Sequence, residues 1–140
     1  MQKKGKDRTV SHEKANLINL TYRYYTQFRD LEQRDSVMAE YIWIDGTDVA
    51  IRCKARTLKS LPKNLSEVPE WNYDGSSTYQ ASTHNSEVIL KPVAMFKDPF
   101  RQGNNILVLC DTWVWSDGEF TSLKPANTNF RAYAKKIFDS

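Results

Sequence analysis

The segment 70–78, EWNYDGSST, holds the densest group of side chains in the chain that could do chemistry. Trp71, Tyr73 and Asp74 stand together here, followed by a glycine and three hydroxyl-bearing residues. A carboxylate beside aromatic rings could hold a small cation, because the carboxylate supplies charge and the ring faces add cation–π attraction. The same cation could donate hydrogen bonds to the hydroxyl oxygens of Ser76, Ser77 or Thr78. The composition predicts a binding loop, the kind of segment in which functional residues concentrate.

The run Asp74-Gly75-Ser76-Ser77 also has the composition of an ordinary turn. The residues alone leave both interpretations open, and they name no substrate.

A second candidate site is basic. Along 49–56 the residues alternate strictly, with Arg52, Lys54 and Arg56 on one side of the predicted strand and Val49, Ile51, Cys53 and Ala55 on the other. This period of two predicts a strand with one buried apolar face and one solvated basic face. The basic face could bind an anion, or it could simply be the solvent side of a hairpin.

The remaining elements must position these residues. A helix is predicted from a cap at Ser11 to about Gln33, because Leu17, Leu20, Tyr24, Phe28 and Leu31 recur at helical spacing. Strands are predicted at 38–45, at 87–91 before Pro92, and at 105–112, where a continuous apolar run indicates a central strand covered on both faces. Residues 59–85 form a predicted long loop, and 113–120 a last hairpin.

A final helix, capped by Asn127 or Thr128, carries the apolar residues Phe130, Tyr133, Ala134 and Ile137. Helices packed on a mostly antiparallel sheet give an α+β fold class.

The composition narrows the function classes. The chain has 140 residues, 40% apolar and 26% charged, as one globular domain requires. Its net charge of +3 comes largely from Lys3, Lys4, Lys6 and Arg8, which predicts a solvated basic tail over 1–10 and argues against a nucleic-acid-binding domain. No apolar run is long enough to cross a bilayer and no secretory signal precedes the domain, so a cytoplasmic protein without membrane contact is expected.

Cysteine and histidine offer no predicted chemistry. Cys53 and Cys110 lie in apolar strand-like runs and are expected to be buried small hydrophobic residues. Cys and His have no zinc-ligand spacing, so no metal site is predicted.

Six segments resemble the eukaryotic-type glutamine synthetases, in the order found in that family. They are 39–46, 52–58, 70–78, 87–92, 95–101 and 105–110. The resemblance implies a β-grasp domain over 37–126, an N-terminal helix over 11–36, and over 127–140 the start of a helix linking to a catalytic domain absent from the chain.

The resemblance also implies the function. Such enzymes phosphorylate the γ-carboxylate of glutamate with ATP, and ammonia then displaces the phosphate to give glutamine. The motif residue that binds ammonium and takes its proton corresponds to Asp74, with Ser77 as its helper. ATP and Mg²⁺ or Mn²⁺ would be bound by the absent catalytic domain, so the chain alone is expected to be inactive.

The implied partners are catalytic domains of the same and the neighbouring subunit in a homo-oligomeric ring. Two alternatives stay open: a free-standing β-grasp interaction module without activity, and an unrelated anion binder that uses Arg52, Lys54 and Arg56.

Overall fold

The structure is a computed structural model that describes residues 17–20, 22–24, 26–28, 31–116 and 120–139. The chain divides into two compact units, Met1–Arg34 and Asp35–Ser140. None of the described helices is long and apolar enough to span a bilayer.

The first unit contains the N-terminal helix. Residues 17–20, 22–24 and 26 are helical, and 27–28 form a turn, so the described helix ends before the predicted Gln33. The proposed cap Ser11 lies outside the described residues. The apolar stripe is exposed at every position, with exposed fractions of 62–67% for Leu17, Leu20, Tyr24, Phe28 and Leu31.

The second unit is a mixed sheet with one helix, which confirms the predicted α+β class. Its strands are β1 (Val37–Ile44), β2 (Ile51–Leu58), β3 (Trp71–Asp74), β4 (Glu87–Lys97), β5 (Ile106–Trp115) and β6 (Leu123–Pro125). The strand order is β2-β1-β5-β4-β3, and β6 pairs with β5 beyond the end of β1. The β1–β5 pairing is parallel and the other described pairings are antiparallel. Helix α1 (Phe130–Phe138) follows the sheet.

The core lies on one face of this sheet. Alternate residues of β1, namely Val37, Ala39, Tyr41 and Trp43, are buried and pack with Ile106, Val108 and Cys110 of β5, Leu90 of β4, and Val68. The Tyr41 hydroxyl donates to the Pro69 carbonyl (2.7 Å), so the buried phenol keeps a hydrogen-bond partner. The opposite, outer face of the sheet carries Ile44, Ile51 and Leu109, all exposed.

The predicted orientation of β2 is wrong. Tyr41 pairs with Lys54 and Trp43 pairs with Arg52, so the basic residues lie on the same face as the core. Ile51, Cys53 and Ala55 are exposed instead. The reason is that β2 is an edge strand, where long basic side chains can cover the rim of the core while their charged ends reach solvent.

The prediction for the cysteines is half wrong. Cys110 is buried, and burial raises the pKa of its thiol to about 12. Cys53 is exposed on the outer face.

Other features of the sheet and helix also differ from the predictions. The predicted loop contains β3 and two 3-10 turns, Leu65–Glu67 and Gly75–Thr78. Strand β4 continues through Pro92, because the register shifts between Pro92 and Ala94 and the ladder accommodates a residue without an N–H. Strand β5 is central, but Leu109 is 39% exposed, so it is not covered on both faces.

The last hairpin returns at Leu123–Pro125 rather than by residue 120. Helix α1 is capped by Asn129, whose Oδ1 accepts a hydrogen bond from the Ala132 N–H (3.2 Å), and not by Asn127 or Thr128.

Candidate functional site

Asp74 is the last residue of β3 and the N-cap of the 3-10 turn Gly75–Thr78. Its Oδ1 accepts hydrogen bonds from the Ser76 backbone N–H (2.9 Å) and from the Ser76 hydroxyl (2.7 Å). These bonds favour the ionised form and lower the pKa of Asp74 below its ordinary value. The Ser76 hydroxyl makes the largest contribution and the Ser76 amide the next largest. The residue is exposed. The arrangement therefore presents a carboxylate that carries its charge at neutral pH.

The hydroxyl beside that carboxylate is Ser76 rather than Ser77. The Ser77 hydroxyl donates, at 3.4 Å, to the backbone carbonyl of Asp74, while its own residue stays exposed. Thr78 is buried, and its hydroxyl donates to the Gly75 carbonyl (3.1 Å). The three hydroxyls predicted as a group thus have three different environments, and Asp74 and Ser77 are neighbours through the backbone.

The aromatic residues of the motif do not line the carboxylate. Alternation along β3 places Trp71 and Tyr73 toward the core, while Asn72 and Asp74 point the other way. The Tyr73 ring lies 4.4 Å from that of Trp43, centroid to centroid, and the cations over Trp71 are Lys54 and Arg56. The predicted cation–π contribution of Trp71 and Tyr73 to a site at Asp74 is therefore wrong.

Gly75 allows the turn to sit against the sheet. A Cβ at this position would collide with the Val88 side chain, and the Gly75 N–H donates to the Ser86 carbonyl (2.7 Å). Because β3 and β4 pair up to Asp74↔Glu87, the start of β4 fixes the point at which the chain turns. The glycine of the motif therefore serves the close approach of the turn to β4.

The basic residues of β2 are already engaged. The Arg52 Nε donates to Oδ2 of the buried Asp45 (2.9 Å), whose pKa is lowered by the Thr47 hydroxyl and amide and by Arg52. Lys54 Nζ lies 3.6 Å from the Trp71 ring centroid and donates to the Asn72 carbonyl (2.9 Å). These contacts give the residues structural partners, which disfavours the interpretation as an anion site.

The contribution of Gln80 to the site was not predicted from the sequence. Its side chain accepts hydrogen bonds from Tyr73 and Thr78, one on each side of Asp74. Nothing in the local pattern signals this, because the partners come together only in the folded sheet.

The described part of the chain contains no cluster of metal-ligating side chains. Residues 17–20, 22–24, 26–28, 31–116 and 120–139 contain no group of three or more His, Cys, Asp and Glu residues that could hold a metal ion. Asp74 offers one carboxylate with a single adjacent hydroxyl, that of Ser76, which is a poor donor set for Mg²⁺ but a suitable one for a monovalent cation that donates hydrogen bonds.

Comparison with known proteins identifies the family to which the domain belongs. The family model described as glutamine synthetase, beta-Grasp domain, matches residues 35–114. The chain is 49% identical over 112 residues to the glutamine synthetase of Mus musculus and 50% identical over 114 residues to that of Emericella nidulans. These alignments cover 80% and 81% of the chain, and 28% and 30% of the two relatives.

The similarity extends to plants. The chloroplastic/mitochondrial glutamine synthetase of Arabidopsis thaliana is 46% identical over 134 residues, which is 96% of the chain and 28% of that protein. The chain thus spans less than a third of the length of these relatives. It belongs to the glutamine synthetase family, of which it carries the β-grasp domain.

Proposed function

We propose that the chain supplies the ammonium-binding loop of a glutamine synthetase active site that a catalytic portion completes. The observation that carries the proposal is the exposed carboxylate of Asp74, held in its ionised form by Ser76 on a segment that the family match includes. The reaction is the ATP-dependent ligation of ammonia to glutamate. Ser77, an exposed residue whose hydroxyl donates to the Asp74 backbone carbonyl, is the second residue that we assign to this site.

The chemistry of ammonium explains why a carboxylate is needed. Ammonium cannot attack the activated glutamyl carbonyl, because its nitrogen lone pair is bonded to a proton. A carboxylate first attracts the cation and then accepts that proton as the nitrogen–carbon bond forms and phosphate leaves.

While the loop is exposed to solvent, the lowered pKa of Asp74 suits it to binding a cation and makes it a weak base. Covering the loop by a catalytic portion would desolvate the carboxylate, raise its pKa and strengthen it as a proton acceptor.

The other steps belong to the part of the protein that this chain does not contain. We assign ATP, the divalent metal ion and the glutamate contacts to the catalytic portion. A homo-oligomeric ring in the cytoplasm, with each site shared between neighbouring subunits, is the assembly that fits such a division.

A segment exchange tests the proposal. Residues 35–114 replace the matching segment of the mouse enzyme, and glutamine formation is measured with ammonium, glutamate and ATP. If the exchanged segment places Asp74 correctly, turnover by the chimera should stay within about tenfold of the mouse enzyme. Misplacement of a reacting group by 1 Å would instead cost about 10²-fold. The 140-residue chain by itself should show neither turnover nor tight ATP binding.

The controls separate assembly from chemistry. Sedimentation and ATP binding establish that the chimera assembles and binds nucleotide like the mouse enzyme. A chimera that passes both controls but forms no glutamine would contradict the proposal, as would clear turnover by the isolated chain.

A further inference from the structure

Gln80 lies six residues after Asp74 and is half-buried beneath the loop. Its Oε1 accepts a hydrogen bond from the Tyr73 hydroxyl and a second from the Thr78 hydroxyl (3.0 Å), which shares its single hydrogen between Gln80 and the Gly75 carbonyl (3.1 Å). Tyr73 immediately precedes Asp74, and Thr78 ends the 3-10 turn that Asp74 caps. One oxygen atom therefore fastens the chain on both sides of the carboxylate.

The nitrogen of the same carboxamide is anchored on three other elements. Nε2 lies 3.2 Å from the Ile44 carbonyl at the end of β1, 3.3 Å from the Thr112 hydroxyl in β5 and 3.2 Å from the Thr128 hydroxyl before α1. Since an amide nitrogen has two hydrogens, three acceptors at these distances share them. The loop is thereby tied to the rigid centre of the sheet.

The network continues to the start of α1. Asn129 Nδ2 donates to the Thr112 carbonyl (2.9 Å), and Asn129 Oδ1 caps α1. Thr112 is buried, so its hydroxyl and carbonyl connect Gln80 with the helix N-terminus inside the domain. Hydrogen bonds in such a shielded network are stronger than at the surface. Removing one partner leaves the buried donors or acceptors that it contacted without a hydrogen bond.

We propose that Gln80 is the positioning residue of the site: its carboxamide clamps both flanks of the Asp74 turn to β1, β5 and the segment before α1. This proposal rests on the assignment of Asp74 as the ammonium-binding carboxylate. Gln80 acts through the turn and does not touch the cation. It holds the Ser76 amide and hydroxyl at hydrogen-bonding distance from the carboxylate by keeping the turn closed.

The titration of Asp74 in the 140-residue chain tests the clamp without any need for catalysis. The variant Gln80→Met keeps the length and approximate volume of the side chain and removes all of its hydrogen bonds. The matched control is Gln102→Met, at an exposed glutamine in another turn. The side-chain carboxyl carbon of Asp74 is followed by NMR as the pH is lowered, beside a thermal melt.

We expect Gln80→Met to raise the pKa of Asp74 toward that of an exposed aspartate and to shift the amide signals of 75–78, while Gln102→Met leaves both unchanged. A merely structural glutamine would lower the melting temperature without moving the pKa of Asp74 in the folded protein, and that result would overturn the proposal. If Gln80→Met does not fold, Tyr73→Phe removes only the hydroxyl that donates to Gln80 Oε1 from the residue before Asp74. A smaller rise in the same direction then supports the clamp, and no change overturns it.

The chimera separates this proposal from the proposed function. There, Gln80→Met should raise the KM for ammonium by roughly tenfold to a hundredfold, the scale of a misplaced reacting group, while the KM for ATP stays unchanged. An inactive parent chimera would count against the proposed function, whereas the titration of Asp74 would still decide on Gln80. An unchanged KM for ammonium in an active Gln80→Met chimera would overturn the clamp.

Discussion

Gly46 donates its backbone N–H to the carbonyl of Thr78 across 2.8 Å, and this bond joins the β1–β2 turn to the end of the Asp74 turn. The two backbones approach so closely that a Cβ on Gly46 would stand 2.6 Å from the Thr78 oxygen. No flexible side chain can yield at this contact, because the opposing atoms are main-chain atoms. Gly46, in the turn between β1 and β2, therefore also supports the candidate site.

Gly46→Ala should destabilise the domain by about 1–3 kcal/mol, the usual cost of forcing atoms into a packed region. The Asp74 turn should move as well, because Thr78 and Tyr79 must retreat. Chemical denaturation measures the first effect and amide shifts of 75–78 the second. Val49→Ala, in the same turn at an 85% exposed residue, is the control and should change stability by less than about 0.5 kcal/mol.

Tyr79 adopts a left-handed backbone conformation, with φ 61°, directly after the site turn, and its side chain is exposed. This conformation costs a residue with a Cβ about 1–3 kcal/mol, and glycine avoids the cost at the expense of a more flexible unfolded chain. Tyr79→Gly should therefore stabilise the domain by about 0.5–1 kcal/mol. Thermal or urea unfolding measures the change.

Tyr133→Gly is the counterpart, because Tyr133 is a partly exposed tyrosine within α1. It should destabilise the domain by about 0.5–1 kcal/mol, since glycine weakens a helix interior. Equal destabilisation by both substitutions would mean that the Tyr79 side chain contributes more than its backbone strain costs.

The sequence predicts both β1 and β2 as strands, but the alternation along β2 leads to the wrong buried face. In β1 the residues of the buried face, such as Tyr41 and Trp43, are large and apolar, so the choice of face follows from burial. In β2 the alternation separates two faces but does not determine which face packs on the core. The pairing register with β1 determines the buried face. At the edge of the sheet, the aliphatic parts of Lys54 and Arg56 can cover the Trp71 ring.

The candidate site shows the same division. The residue types of the motif make Asp74 a candidate binding carboxylate, and the family resemblance assigns ammonium to it, because the relevant residues lie within one short segment. The contribution of Gln80 could not be predicted, since its contacts with Ile44 and Thr128 join residues 36 and 48 positions apart. Contacts of that kind depend on strand order and register, which a single sequence does not specify.

Acid should unfold the domain through a small group of carboxylates. Arg101 lowers the pKa of Glu40 by hydrogen bonding, and the Thr47 hydroxyl does so for Asp45. Burial alone would raise the pKa of Asp98, but hydrogen bonds from Arg101 and Phe100 outweigh it and lower the pKa. Carboxyls with a lowered folded-state pKa take up protons first in the unfolded chain, so protons favour unfolding.

The free energy of unfolding should therefore fall as the pH drops below about 4, the ordinary carboxyl range. Asp111 acts in the opposite direction, because burial raises its pKa, but it is one group against four, since the pKa of Asp74 is lowered as well. Arg101→Gln should flatten the decline between neutral pH and acid, as seen in denaturant titrations at several pH values. Arg34→Gln, at an exposed ion pair with Glu32, is the control and should leave the pH dependence unchanged.

The outer face of the sheet predicts self-association of the isolated chain. Ile51 of β2 is 71% exposed on this face, together with the exposed Ile44 of β1 and Leu109 of β5. Burying one such side chain contributes about 1.5–3 kcal/mol, so Ile51→Lys should weaken association about tenfold or more in sedimentation experiments. Val49→Lys adds the same charge at the nearby turn and should have a much smaller effect. A chain that stays monomeric at high concentration would contradict the prediction.

Asp74→Asn in the chimera addresses the carboxylate itself. The amide oxygen of asparagine can still accept the hydrogen bonds from the Ser76 amide and hydroxyl, so the turn and the stability of the domain should change little. The negative charge and the basicity are lost, and both act on ammonium. Glutamine formation should therefore fall by about 10²–10⁴-fold, the typical loss when a positioned base is removed.

The distribution of this loss identifies the role of Asp74. If Asp74 attracts the cation and accepts its proton, Asp74→Asn should raise the KM for ammonium and lower kcat, while ATP binding stays nearly normal.

Asp48→Asn, at an aspartate of the β1–β2 turn, is the control: it removes the same charge elsewhere and should leave the ammonium kinetics unchanged. If Asp74 only shapes its turn, asparagine is an equally good turn residue and the two variants should behave alike. Steady-state kinetics with varied ammonium, beside a thermal melt, distinguish these cases, and unchanged ammonium kinetics in folded Asp74→Asn would remove Asp74 from the site.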